Sequence, residues 1–117
     1  MTAINIADIK VMLSDINIIE KLLDAYRFTA RKYVEPDGSI TLGLVEIDLA
    51  ENGKNEEEAL NKIAESILEY SEDYYKDFDF FYSAPNRKPH LPYVIKSLIL
   101  NDINKIGELI LCRHGEI

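Results

Sequence analysis

Residues 55–82, NEEEALNKIAESILEYSEDYYKDFDFFY, constrain the fold more than any other stretch of this chain. Apolar side chains recur there every three or four residues, which predicts one long amphipathic helix with a single buried face. Asn55 is a good N-cap, and residues 56–58 place three glutamates at the positive end of the helix dipole. The predicted apolar face consists of Leu60, Ile63, Ala64, Ile67, Leu68, Ser71, Tyr74, Tyr75 and Phe78. This face is larger than the helix can bury alone, so another element must cover it.

A β-hairpin is predicted immediately before this helix. Residues 26–34 alternate between apolar and polar side chains, and residues 36–39 (PDGS) have the composition of a turn. Ile40, Leu42 and Leu44 then lie on one face of a returning strand. The apolar parity changes over residues 45–49, which predicts a bulge near Gly43 or burial of both faces at that end. The sheet and the long helix are expected to cover one another.

The flanking segments predict shorter elements. A strand over residues 9–13 and a helix over residues 15–25 precede the hairpin, and residues 51–54 are expected to turn the chain into the long helix. Residues 83–92 form a proline-rich loop.

Two short helices are predicted after this loop. Pro92 suits the first turn of one helix, with Tyr93, Val94, Leu98 and Ile99 inward. Asp102 is expected to cap a second helix that ends near Ile110. Residues 109–112 fit a strand equally well, and residues 113–117 are expected to be loose.

A length of 117 residues suits a single domain. We expect a strand–helix unit over residues 1–25, the hairpin and long helix over residues 26–82, and a helical segment over residues 83–117. The predicted fold class is α+β, in which a small antiparallel sheet is packed against one long amphipathic helix.

Charge and composition favour a soluble binding protein. The net charge of −8 argues against a nucleic-acid surface made by this chain alone and suits a basic partner. The single cysteine, Cys112, excludes an internal disulfide, as expected in a reducing compartment. There is no apolar stretch of about 20 residues and no signal-peptide pattern, so we expect a cytoplasmic protein without membrane contact.

No catalytic, metal or cofactor motif is present. His90 and His114 are far apart and have no paired ligand spacing, and Cys112 lacks an orienting third group beside His114. Five glycines form no phosphate-binding loop. We therefore expect neither an enzyme nor a cofactor.

Three features keep two interpretations each. The aromatic residues of 74–82 suit either core packing or an anchor for a partner. The basic loop over residues 86–90 suits either a rigid connector or a contact loop. Arg27 and Arg31, on the outward face of the first hairpin strand, are either solvated or positioned to bind carboxylates or phosphates.

The strings ITLGLVEIDLAENGKNEEEA, ILEYSEDYYKDF and SAPNRKPHLPYVIKSLIL resemble bacterial antitoxins of type II toxin–antitoxin operons, described as RelB-like or Phd/YefM-like. The resemblance covers roughly residues 9–111. The hairpin followed by NEEEA also resembles the HicB-type antitoxin fold.

The resemblance implies a non-catalytic protein that binds and blocks a small basic RelE-like mRNA endonuclease. In Phd/YefM-like members, an N-terminal β-α unit dimerises and binds operator DNA. The run IKVMLSDINIIEKLL is similar to the later strand and helix of that unit, but the preceding strand and helix have no counterpart. We therefore do not expect DNA binding by this chain alone: either the chain is a shortened form or a partner supplies that part. A homodimer is possible, and the sequence does not decide whether one forms.

Charge complementarity with a basic toxin suggests two contact surfaces. The first is the polar face of the long helix, with Glu65, Glu69, Glu72 and Asp73. The second is the basic loop with its neighbouring tyrosine, comprising Tyr82, Asn86, Arg87, Lys88 and His90. The alternative function is a HicB-like regulatory or adaptor domain that binds another protein.

Overall fold

The computed structural model of the chain describes Lys21 and residues 24–114. The strand predicted over residues 9–13 and most of the helix predicted over residues 15–25 lie outside these residues, although Lys21, Asp24 and Ala25 are helical. Four strands are described: β1 (Phe28–Val34), β2 (Ile40–Leu44), β3 (Ala50–Gly53) and β4 (Ile110–His114). The helices after β3 are α1 (Glu56–Lys76), α2 (Phe78–Ser83), a 3-10 turn (Lys88–His90), α3 (Leu91–Leu100) and α4 (Ile103–Glu108).

The strands form one mixed sheet in the order β3-β2-β1-β4. The β1–β2 and β2–β3 pairs are antiparallel, whereas β4 runs parallel to β1. The α+β class is therefore confirmed, but a purely antiparallel sheet is wrong. A parallel neighbour requires a long crossover connection. Here the crossover consists of β2, β3 and all the helices that follow β3.

The predicted hairpin turn is confirmed. Gly38 adopts a φ of 87°, the left-handed region in which glycine meets no steric penalty. The backbone N–H of Glu35 donates to the Ser39 carbonyl at 2.8 Å and closes the turn. The carboxylate of Asp37 accepts hydrogen bonds from the Ser39 N–H at 2.9 Å and from its hydroxyl at 2.6 Å. These bonds lower the pKa of Asp37 below its ordinary value, the side-chain bond most strongly.

The change of apolar parity after Leu44 marks the end of β2. The chain reverses over residues 45–49, where the Leu44 N–H donates to the Leu49 carbonyl at 2.8 Å. Ile47 lies in this loop and is buried. Its apolar side chain therefore anchors a chain reversal and does not belong to the face of a strand. The predicted bulge or two-sided burial is therefore wrong. The prediction that residues 51–54 form a turn is also wrong, because Ala50–Gly53 is β3 and pairs with β2.

Helix α1 begins as predicted but ends earlier. The side chain of Asn55 accepts a hydrogen bond from the Glu58 N–H at 2.8 Å, as an N-cap does. The helix ends at Lys76 because Asp77 has left the helical conformation, with φ −122° and ψ 54°. A single helix over residues 55–82 is therefore wrong. The break gives α2 its own direction, and Phe78 and Tyr82 stack one turn apart with ring centroids separated by 5.2 Å.

The C-terminal elements resolve the open alternatives. Pro92 lies in the first turn of α3, and Asn101 ends that helix in the left-handed conformation with a φ of 42°. Asp102 caps α4 by accepting from the N–H groups of Asn104 and Lys105 at 2.9 and 3.1 Å. Helix α4 then ends at Glu108, short of the predicted end near Ile110.

Residues 110–114 form β4, so the strand alternative is confirmed. The expectation of a loose tail is wrong for residues 113 and 114, because they pair with β1. Residues 115–117 lie outside the described part of the chain.

Two apolar clusters form the core, and α1 belongs to both. The first lies between the inner face of the sheet, the N-terminal half of α1 and α4. Its central members are Phe28, Leu42, Ile47, Ile63, Ile67 and Ile106. The second lies between the C-terminal end of α1, α2 and α3. It comprises Tyr74, Phe78, Tyr82, Leu91, Val94 and Ile95. The prediction that the long helix covers the sheet is therefore confirmed.

Candidate functional site: an acidic helix face

The outer side of α1 presents a row of carboxylates to solvent. Between Lys62 and Lys76 every charged residue of the helix is acidic. We call these residues the acidic stripe; all four are exposed, and they are Glu65, Glu69, Glu72 and Asp73. Their spacing places them on one side of the helix, because residues three and four positions apart are neighbours on its surface. Periodicity alone predicted this placement.

The opposite side of α1 holds the stripe in place. Ala59, Ile63, Ala64 and Ile67 are fully buried there against the sheet and α4. The ion pairs found among the described residues use other carboxylates. Glu56 lies 3.5 Å from Lys32 of β1, and Glu58 lies 3.4 Å from Lys62. The four carboxylates of the stripe therefore face solvent and form no ion pair with a cation of the described part of the chain.

The basic loop over residues 86–90 folds back onto aromatic rings. The guanidinium of Arg87 lies over the rings of Tyr70 and Phe81, at 5.4 and 5.6 Å from their centroids. The ammonium of Lys88 lies 4.9 Å from the centroid of the Tyr82 ring. These are distances at which a cation is attracted to an aromatic face. Arg87 and Lys88 are consequently half-buried, and only Asn86 of the loop's candidate residues is exposed.

His90 is buried and hydrogen-bonded within the same cluster. Its Nδ1 lies 2.7 Å from the hydroxyl of Tyr70. Burial lowers the pKa of His90 below its ordinary value; the Asp48 charge opposes this shift, and the weaker effect of the Arg87 charge adds to it. Tyr82 is also buried. The fold brings the loop residues together, but most of their side chains contact other residues of the same chain. Their role as a contact surface for a partner stays a prediction.

The aromatic cluster divides between the two interpretations. Tyr74, Phe78 and Tyr82 are core residues, and the Tyr74 hydroxyl donates to the Arg87 carbonyl at 3.0 Å. Phe80 is 69% exposed and Tyr75 is 40% exposed. Core packing therefore accounts for the first three residues, and the anchor interpretation stays open for Phe80 and Tyr75.

The outer face of the sheet carries a cluster that the sequence predicted only in part. Arg31 of β1 and Arg113 of β4 are register partners in the parallel pair. Arg27 precedes β1 with the same parity as Arg31, and all three are exposed; we call them the arginine face. Arg27 and Arg31 were recognised from strand alternation. Arg113 was missed, since only the β1–β4 register brings it beside Arg31.

The described residues offer no metal centre and no activated nucleophile. No group of three or more His, Cys, Asp or Glu side chains lies close enough to hold a metal ion in the described ranges. Burial raises the pKa of the Cys112 thiol above its ordinary value, which is opposite to the shift that activates a nucleophile. Within the same ranges, no helix is long and apolar enough to cross a membrane.

A small α+β protein with a carboxylate-lined helix suits protein binding, and comparison with known proteins agrees. Residues 3–112 match the model of the PHD-like family, described as antitoxins of RelE/RelB toxin–antitoxin systems. A solved structure from Syntrophomonas wolfei subsp. wolfei, described as an antitoxin part of a candidate toxin–antitoxin system, is 37% identical with a TM-score of 0.77. The similarity covers 86% of this chain and 72% of that one. Comparison with curated protein sequences gave no significant match.

The chain therefore belongs to the PHD-like family of antitoxins. The resemblance to antitoxins of type II toxin–antitoxin systems is confirmed at this level. Membership implies a toxin as partner and a regulatory role. The assignment to RelB-like, Phd/YefM-like or HicB-like subgroups stays a prediction, as do the cytoplasmic location and the homodimer.

Proposed function

We propose that this antitoxin binds and neutralises a small basic RelE-like mRNA endonuclease, and that the acidic stripe of α1 is its principal contact surface. The observation that carries the proposal is the exposure of four carboxylates on one helix face, none of which forms an ion pair with a cation of the described residues. The RelE/RelB description of the family supports the class of toxin.

The physical basis is electrostatic complementarity. The chain has a net charge of −8, so its field attracts a basic protein over a distance of about one Debye length. Complementary charges raise the association rate and fix the orientation more than they raise the affinity. A helix whose opposite side is fully buried presents its carboxylates with little reorganisation on binding, which reduces the entropic cost of association.

The arrangement requires no catalysis by the antitoxin. Covering the basic surface on which an endonuclease holds RNA is sufficient to block cleavage, because RNA binding depends on the same cations that the stripe would engage. The basic loop has a smaller part in this proposal, because its cations already lie over the rings of Tyr70, Phe81 and Tyr82.

The test is an mRNA-cleavage assay with the protein encoded by the gene that neighbours this one, combined with stopped-flow measurement of binding. The stripe variant replaces Glu65, Glu69 and Glu72 by Gln and Asp73 by Asn. The control variant removes four exposed carboxylates elsewhere, through Asp48→Asn, Glu57→Gln, Asp79→Asn and Glu108→Gln. Both variants change the net charge equally.

We expect the wild-type chain to stop cleavage. We expect the stripe variant to associate about tenfold or more slowly at low salt than the control variant. Equal slowing of the two variants would show that net charge acts without a defined face, and the stripe would then not be the contact surface. Continued cleavage in the presence of excess wild-type chain would contradict the proposed function itself.

A further inference from the structure

The two exposed faces of this molecule carry opposite charge. On the outer face of the sheet, the arginine face adjoins two exposed apolar side chains: Leu111 is 53% exposed and Val45 is 51% exposed. A cleft of about 500 Å³ lies beside it, bordered by Arg27 and Arg113 and also by the carboxylates of Asp24 and Glu108. An arginine-rich face is unexpected on a chain with a net charge of −8.

The acidic stripe points away from the arginine face. A helix turns by about 100° per residue, which places Glu65 and Glu72 roughly opposite the buried side chains of Ile63 and Ile67. That buried side packs against the inner face of the sheet. Arg31 and Arg113 lie on the outer face, because side chains alternate along a strand and Ala30 and Ile110 are buried. The molecule is therefore a layer with arginines on one side and carboxylates on the other.

The two charged faces also match in length. The stripe from Glu65 to Asp73 covers eight residue-to-residue steps of helix, or about 12 Å at ~1.5 Å per step. The distance from Arg27 to Arg31 along an extended chain is about 13 Å at ~3.3 Å per residue. Arg113 adds a second row, because neighbouring strands lie about 4.8 Å apart. Carboxylates on such a helix can therefore face all three guanidinium groups at once.

We propose that the arginine face binds the acidic stripe of a second copy of this chain. The two faces point in opposite directions, so this contact is head to tail and cannot close as a two-fold dimer. Head-to-tail contacts produce open chains or rings. The proposal does not depend on the proposed toxin, because both surfaces belong to this chain.

Salt gives this association a recognisable signature. Two copies repel each other as whole molecules, over about 30 Å at 0.01 M salt, but over only about 8 Å at 0.15 M. The close contacts between guanidinium and carboxylate groups are weakened only at higher ionic strength, where the screening length is about 3 Å at 1 M. Association is therefore expected to be weak at the two extremes and strongest near 0.15 M.

The test is sedimentation velocity of the full chain from micromolar to millimolar concentration at these three ionic strengths. One variant carries Arg31→Glu and Arg113→Glu, which makes both faces acidic. The other carries Glu69→Lys and Glu72→Lys, which leaves the stripe with two lysines and two carboxylates and therefore without net charge. A control carries Glu57→Lys and Asp79→Lys, at exposed positions outside both faces. All six side chains are exposed, and circular dichroism verifies that each variant is folded.

We expect each face variant alone to associate about tenfold or more weakly than wild type, and an equimolar mixture of the two to recover association, because opposite faces meet again. The control is expected to retain wild-type association. Three outcomes would overturn the proposal: a monomer under all conditions, association that survives both reversals, and a mixture that stays monomeric. Duplex DNA bound at the arginine face in place of a second copy would also contradict it.

Discussion

At the scale of single residues, the basic loop shows that cationic residues clustered in a sequence do not necessarily form an exposed positive surface. Arg87, Lys88 and His90 stand in a proline-framed loop, a pattern typical of exposed cations. In the folded chain the first two lie over aromatic rings, and His90 is hydrogen-bonded to Tyr70. The partners Tyr70 and Phe81 lie in other elements, so local sequence held no signal for these contacts.

Lys96 is a second residue that the sequence could not place. It is fully buried, and its Nζ donates a hydrogen bond to the backbone carbonyl of Tyr26. Burial lowers the pKa of Lys96 below its ordinary value, and the nearby Arg27 charge acts in the same direction. The periodicity of α3 suggested apolar inward positions only. The carbonyl that accepts the hydrogen bond from Lys96 belongs to Tyr26, which precedes β1 and is far from α3 in the sequence.

Burial of His90 predicts a stability that depends on pH. The pKa of His90 is lower in the folded chain than its ordinary value of 6.5, so between these values the unfolded chain binds more protons. Stability should therefore fall as the pH decreases through 6.5 towards the folded-state pKa. Urea unfolding of wild type and His90→Gln at a series of pH values measures this. A pH dependence of stability that His90→Gln leaves unchanged would contradict the assignment to His90.

At the scale of elements, the best-predicted features are those coded locally. Asn55 at the start of α1, Gly38 in the hairpin turn and Asp102 before α4 all act as the sequence indicated. The acidic stripe follows from helical periodicity in the same way.

The short strands at the two edges of the sheet were harder to predict. Strand β3 has the sequence AENG, which has little β-propensity, and it is a strand because it pairs with β2. Strand β4 fitted a helix equally well until its pairing with β1 was known. The position of Arg113 in the arginine face depends on that same long-range pairing.

The close approach of β3 to α1 predicts a sharp difference between two glycines. A Cβ at Gly53 would overlap the backbone N of Ala59 and lie 2.9 Å from its Cα, whereas a Cβ at Gly43 meets nothing within 4 Å. Gly53→Ala should therefore lower the free energy of unfolding by about 3 kcal/mol, because backbone must move, and Gly43→Ala should change it by less than ~0.5 kcal/mol. Denaturant titration compares the two. Equal effects would show that β3 and α1 are farther apart than described.

At the scale of the whole molecule, α1 joins two apolar clusters that would otherwise be separate. Its N-terminal half covers the sheet, and its C-terminal end packs against α2 and α3. The expectation of a single domain over residues 1–117 stays a prediction. The shared helix gives this prediction a physical basis, because unfolding of α1 would expose apolar side chains in both clusters.

This continuity predicts one cooperative thermal transition. Ile63 is fully buried in the first cluster, and Ile95 is 4% exposed in the second. Ile63→Ala and Ile95→Ala should each destabilise the whole chain by about 3 kcal/mol and lower the same single transition. Differential scanning calorimetry measures this, with agreement between calorimetric and van't Hoff enthalpies as the criterion. Two resolved transitions, each sensitive to only one substitution, would mean that the clusters unfold independently.

The parallel pairing of β1 with β4 has a consequence for how the protein is made. It joins Phe28 to Ile110, so β1 leaves the ribosome well before the strand with which it pairs. Contacts of such sequence separation slow folding, because a long loop must close before the pairing stabilises anything. Until the last strand emerges, β1 is an unpaired edge on which another chain can form a ladder. The sheet can therefore be completed, and this edge of β1 covered, only after β4 has been synthesised.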